Sequence, residues 1–112
     1  MKHKSNISID VVLDENRMPE DIIWKASDST ADMDQRARAM MLAFWDAADK
    51  SALRIDLWTK DMMVDEMAEF YYQVFMTMAD TFTRATRMPT LSEEMKDFAR
   101  NFMRRFRDEQ NK

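Results

Sequence analysis

The stretch Leu53-Arg54-Ile55-Asp56-Leu57-Trp58, with Ala39-Met40-Met41-Leu42-Ala43-Phe44-Trp45 a short turn before it, decides the fold. Leu53, Ile55 and Leu57 alternate with Arg54, Asp56 and Trp58. A period of two is that of a strand with unlike faces. Residues 36–48 are ambiguous by themselves, because Ala, Met and Leu favour a helix. Yet Met40, Leu42 and Phe44 form one alternating set, and Ala39, Met41, Ala43 and Trp45 form the other. Ala48-Asp49-Lys50-Ser51 is a tight turn between two alternating runs, which is the pattern of a hairpin. Residues 38–46 therefore read as a strand that is apolar on both faces.

Upstream, residues 5–13 alternate as well: Ile7, Ile9, Val11 and Leu13 face one way, with Ser8, Asp10 and Val12 on the other. Asp14-Glu15-Asn16-Arg17-Met18-Pro19 is a turn-rich link. Ile22, Trp24 and Ala26 alternate with Ile23 and Lys25, predicting a second strand and a first hairpin. Ser27 to Gln35 is small and polar and reads as an exposed loop. The chain has no glycine, so left-handed turn positions fall to residues that tolerate them. Asn16, Asp28, Asp32 and Asp49 are the expected ones.

Downstream the period changes. At 100° per residue, Val64, Met67, Ala68, Tyr71, Val74, Phe75, Met78, Ala79 and Phe82 cluster on one side of a helix. Phe70 and Met76 widen that arc beyond what one sheet face covers. Asp61, Asp65 and Glu66 at its start, and Arg84 and Arg87 at its end, suit the helix dipole. Pro89 breaks the pattern. Thr90 with Glu93 predicts a capping box for a last helix with the stripe Leu91, Met95, Phe98, Ala99, Phe102, Met103 and Phe106. The predicted class is α+β: a four-stranded antiparallel sheet followed by two C-terminal helices packed on one face. The 112 residues fit a single domain, 1–112, with 1–5 and 108–112 frayed.

Composition removes many chemistries. There is no cysteine and one histidine, His3, so neither a thiolate nor a His-based metal site, nor a Ser-His-Asp or Cys-His arrangement, is expected. A glycine-free chain has no phosphate-cradling Gly-rich loop. Asp61, Asp65, Glu66 and Glu69 match no calcium-loop spacing and read as a solvated helix start. The run from Arg100 to Arg107 interleaves bases with aromatics, but the aromatics fall on the apolar stripe. It reads as an amphipathic helix with a cationic end, and the net charge of −4 argues against a nucleic-acid footprint. No cofactor or metal is expected, and no catalytic residue is assigned. No apolar run approaches the roughly 20 residues of a membrane helix, and residues 7–10 already alternate where a signal-peptide core would be apolar. A cytoplasmic protein without direct membrane insertion is expected. The 13 methionines fill irregular cores or line adaptable surfaces.

Contact is what remains. If Leu53, Ile55 and Leu57 face the core, Trp58 faces outward beside Arg54 and Asp56. Exposed large apolar surface marks an interaction site, and self-association, as a homodimer or larger, is the plainest use of it. Lys60 and Asp61 follow directly, so Arg54, Asp56, Trp58, Lys60 and Asp61 are the expected interface residues.

Leu53 to Met62, Val64-Asp65-Glu66-Met67 and Met78-Ala79-Asp80-Thr81-Phe82-Thr83-Arg84-Ala85-Thr86 resemble the central signature of the gliding motility-associated GldC family. Ala43-Phe44-Trp45-Asp46, Asp14-Glu15-Asn16 and Pro19-Glu20 are similar to it too. Met63 stands where the resemblance implies proline, and residues 27–35 lack the glycine usual there. The resemblance implies a small cytoplasmic protein of the bacterial gliding apparatus with a motility-associated protein partner. It implies no catalytic residues. A non-enzymatic adaptor is the leading expectation. The alternative is a holdase similar to SecB-type export chaperones, binding unfolded segments on Met-rich apolar surface; that likeness rests on element order alone.

Overall fold

A computed structural model describes residues 2–112. They form two compact units that meet between Met62 and Met63. The first is all β and the second is a pair of helices.

In the first unit, β1 (Ile7–Leu13) and β2 (Pro19–Ala26) form the expected hairpin. Its turn is built by Asp14. One carboxylate oxygen, Oδ1, accepts the backbone N–H groups of Asn16 at 2.8 Å and Met18 at 3.0 Å. Such side-chain closure of a turn is what Asp does well. The register pairs Val11 with Ile22, Ile9 with Trp24 and Ile7 with Ala26, so the alternating sets share one face. A third strand, β3 (Gln35–Ala37), joins the other edge of β2, with Ala37 opposite Ile22. Ile22 is thereby flanked on both sides and is 1 % exposed.

The second hairpin is β4 (Ala39–Asp46) and β5 (Ser51–Trp58). The strand reading of 38–46 holds: helix propensity yields to pairing with β5. Asp46 closes this turn as Asp14 closes the first, accepting from Ala48 N–H at 2.9 Å and Asp49 N–H at 3.2 Å.

The single four-stranded sheet is corrected. The strands make one three-stranded sheet, β1-β2-β3, and one two-stranded sheet, β4-β5. The reason lies around Arg38. Residues 35–37 pair with β2, and residues 39–46 pair with β5, so the segment changes partner within one residue. Two backbone bonds bridge the change: Thr59 N–H to Arg38 C=O at 2.7 Å and Lys60 N–H to Pro19 C=O at 3.1 Å. The extra strand, β3, falls at the end of the segment expected to be loop.

Positive φ occurs at Arg17, Asp28, Lys50 and Arg87. Asp28 was expected. At Arg17 and Lys50 the left-handed residue sits one place after the expected Asn16 and Asp49. In both hairpins an earlier Asp ties the turn; Lys50 stands directly before β5, and Arg17 two places before β2.

In the second unit, α1 (Val64–Thr86) and α2 (Pro89–Gln110) form a hairpin. Glu66 receives the Met63 N–H at 3.2 Å, tying one donor that a helix start leaves over. Arg87 ends α1 in left-handed geometry and returns its N–H to Thr83 C=O at 2.7 Å. The Thr90 cap is corrected: α2 begins at Pro89, with Met88 in the cap position and no side-chain cap bond. A proline has no N–H to lose at the first helical position, so it starts the helix. Small residues line the crossing: Ala79 and Ala99 are fully buried, Ala68 and Ser92 nearly so. Lys96 reaches Asp80 at 2.8 Å across the pair. Phe75 lies edge-on to Phe98 and Phe102, with ring centroids 5.5 and 5.4 Å away. Phe98 nevertheless stays 58 % exposed, whereas Met103 is buried; the α2 stripe is wider than the surface α1 covers.

Candidate interaction surface

The β4–β5 register decides which side chains share a face. Met40 lies opposite Leu57, Leu42 opposite Ile55 and Phe44 opposite Leu53. These six make one wholly apolar face. The other face carries Ala39 opposite Trp58, Met41 opposite Asp56, Ala43 opposite Arg54, and Trp45 opposite Ala52.

Both faces are open toward the turn. Leu53, Ile55 and Phe44 are 54, 51 and 59 % exposed, and Trp45 and Trp58 are 68 and 56 % exposed. The expected core role of Leu53 and Ile55 is thus corrected. Alternation tells which residues share a face and not whether that face is covered. The half-buried apolar side chains of the ribbon are Ala39, Met40, Met41, Leu42 and Leu57, at the end near Arg38.

Arg54, Asp56 and Trp58 do share a face, as expected. Arg54 and Asp56 form a bidentate pair, Nη2 to Oδ1 at 2.9 Å and Nε to Oδ2 at 3.2 Å. An exposed ion pair adds little stability, but a fork-to-fork pair holds both side chains flat on the sheet. Trp45 and Trp58 stand at either end of it. Aromatic residues and Arg are enriched at contact surfaces, and here the carboxylate holds the Arg in place.

Lys60 and Asp61 are placed differently. Lys60 Nζ reaches Asp14 Oδ2 at 3.0 Å. Thr59, 2 % exposed, donates its hydroxyl to Asp61 Oδ1 at 2.6 Å. These residues moor the exit of β5 to the β1–β2 turn, so Asp14 and Thr59 belong to the assembly although the sequence did not single them out. The Met18 N–H holds the Asp14 carboxyl below its ordinary range first, with Lys60 second. The Thr59 hydroxyl does the same for Asp61. Asp14 in turn holds the Lys60 ammonium above its ordinary value.

A depressed carboxylate stabilises the fold above its unfolded pKa of 3.8, and that stabilisation is lost as pH falls through the lower folded value. The raised Lys60 acts oppositely: its contribution is present below 10.5 and lost as pH rises through the folded value. Acid titration of the urea midpoint should therefore fall more steeply below about pH 4 in the native chain than in Asp14→Asn. Parallel acid limbs for the two chains would show that the mooring carries no stability.

His3 is also engaged. Its Nε2 lies 2.7 Å from Asp28 Oδ2, beside the Ser5 hydroxyl at 2.8 Å, and these contacts pull the Asp28 carboxyl below its ordinary range.

The fold and surface define a small α+β protein whose most distinctive feature is an exposed, two-faced β ribbon. Its affiliation is specific. The model of the gliding motility-associated protein GldC-like family matches residues 19–108, most of the chain, and the chain belongs to that family. The match covers β2 through nearly all of α2, including Leu53 to Met62, Val64 to Met67 and Met78 to Thr86, while Asp14-Glu15-Asn16 lies before it. No curated protein and no solved structure matches significantly. No helix among the described residues is long and apolar enough to cross a membrane.

Proposed function

We propose that this chain is a non-enzymatic, cytoplasmic adaptor of the bacterial gliding apparatus, acting as a homo-oligomer through protein–protein contacts on the β4–β5 ribbon. Family membership supplies the link to gliding. The observation that carries the contact role is the exposure of both ribbon faces, with Arg54 and Asp56 locked between Trp45 and Trp58. Large exposed apolar surface marks interaction sites, and Trp and Arg are the residues that dominate binding energy when a partner covers them. Lys60 and Asp61 act by positioning: they fix the end of β5 that carries Trp58.

Trp58→Ala is the direct test. The ring is more than half exposed, so circular dichroism of the variant should match the native chain. Sedimentation and co-purification should show assembly or partner capture weakened, by roughly tenfold or more for a central tryptophan. A variant that unfolds would make Trp58 a core residue. One that folds, assembles and captures partners normally would move the contact surface away from this face. Suppression of aggregation of unrelated unfolded proteins, undiminished in the variant, would favour a holdase over an adaptor.

A further inference from the structure

The outer edge of β5 carries a self-complementary pattern. No strand among the described residues pairs with that edge between Ser51 and Trp58. The direction of its backbone groups follows from one bond. Thr59 donates to Arg38 C=O at 2.7 Å, one step beyond the pair Ala39–Trp58. Hydrogen-bonded pairs alternate along an antiparallel ladder. Leu53, Ile55 and Leu57 therefore bond inward to β4, and Ala52, Asp56 and Trp58 aim N–H and C=O at the outer edge. Arg54 has the same parity. Lys60 continues the alternation, its N–H meeting Pro19 C=O at 3.1 Å. Beyond Trp58 the edge is thus occupied; from Ala52 to Trp58 it is not occupied by a strand.

Natural edges are blunted by proline, bulges or inward-pointing charges. β5 has no proline and pairs with β4 in unbroken register. An edge of this length and composition is a template for another strand.

We infer that this edge pairs antiparallel with the β5 edge of a second copy, about a two-fold axis at Ile55. The inference rests on the homo-oligomeric reading above and names the surface that makes it. Parity requires outward residues to pair with outward residues, so the axis passes through a residue. At Ile55, Arg54 lies opposite Asp56 of the second copy and Asp56 opposite its Arg54. Leu53 then meets Leu57, and the small Ala52 meets the large Trp58. An axis at Arg54 or at Asp56 would set like charges directly opposite, which is unfavourable. The Arg54–Asp56 pair within each strand becomes a closed ring of four charges across the junction. The product is a four-stranded sheet, β4-β5-β5-β4, with closed two-fold symmetry and one extended apolar face.

Charge reversal and a cross-link test this register together. Arg54→Asp alone and Asp56→Arg alone each place only like charges at the junction. Each should weaken self-association roughly tenfold or more, since two cross-strand pairs change sign by symmetry. Mixing the two variants places Asp against Arg at every position, and the mixture should assemble as a heterodimer. Repair within one strand cannot produce that result. The chain has no cysteine, so Ile55→Cys introduces one thiol. At a non-hydrogen-bonded pair the two Cα atoms stand about 4.5 Å apart, within reach of a disulfide. Mild oxidation should convert the variant to a covalent dimer. Leu53→Cys should not cross-link, because its copies lie four residues out of register, about 14 Å apart. Circular dichroism of each variant guards against unfolding, and the two cysteine variants, which leave the charges intact, read out the register independently of the charge reversals. A native dimer with no Ile55 cross-link and no rescue on mixing overturns this edge while leaving self-association in place. A native chain that is monomeric at high micromolar concentration overturns both.

Discussion

Replacing Ile22 by Ala should cost about 2–5 kcal/mol, the largest effect expected in the β unit. Ile22 is the only large side chain among the described residues that is essentially fully buried. It sits on the central strand of β1-β2-β3, between Val11 on one side and Ala37 on the other. Alanine at position 37 leaves no bulk to move into the space a truncated side chain would vacate. Loss of methylenes without collapse adds a cavity penalty to the transfer term. Urea denaturation at neutral pH gives the measurement. A loss below about 1 kcal/mol would mean that β3 does not stay paired to β2 and that Ile22 is wetter than its place implies. Val12→Ala is the comparison: that residue is 42 % exposed on the same hairpin and should cost well under half as much.

Phe75→Ala should cost about 3 kcal/mol in the helical unit. Its ring makes edge-on contacts with Tyr71 at 6.0 Å, Phe98 at 5.5 Å and Phe102 at 5.4 Å. Among the described residues it is the α1 aromatic whose ring contacts reach α2. Each such pair adds about 0.5–1.5 kcal/mol beyond area, and truncation removes three at once. Phe98→Ala removes one contact to Phe75 and a stacked one to Phe102. Its ring is 58 % exposed, so its loss should be clearly the smaller. Far-ultraviolet circular dichroism followed through urea separates the two. Equal losses would sink the idea that Phe75 is the hub, and would point to burial of Phe98 by another chain.

Much of the architecture was legible in local pattern. The β1 and β2 alternation and the two amphipathic helices follow from period, and the strand reading of 38–46 from period with its short turn to the next run, because side-chain direction repeats every two residues in a strand and every 3.6 in a helix. The helix-forming composition of 36–48 was outweighed by the short turn to β5. The Asp14 and Asp46 turns were visible as polar breaks between apolar runs. Less legible was β3, because Gln35-Arg36-Ala37 offers too few residues for a period to show. Pro89 was misread as a break when it is a start, since a missing N–H harms a helix interior and not its first position.

For the surface, the sequence placed Arg54, Asp56 and Trp58 on one face, and the register agrees. Lys60 and Asp61 continue the same stretch of sequence but serve the strand's exit. Lys60 meets Asp14, 46 positions away, and Asp61 meets Thr59, two positions away.

The sequence by itself determined the element types, their order and the sharing of faces within each strand and helix, because these depend on neighbours a few residues apart. Only the tertiary structure decided that the strands divide into two sheets around Arg38, that Leu53 and Ile55 are exposed and that the β5 edge has no neighbouring strand among the described residues. Those outcomes depend on which segments meet across the chain and on what covers a face once it exists. Alternation is the same in a covered strand as in an open one, so no reading of period could have told them apart.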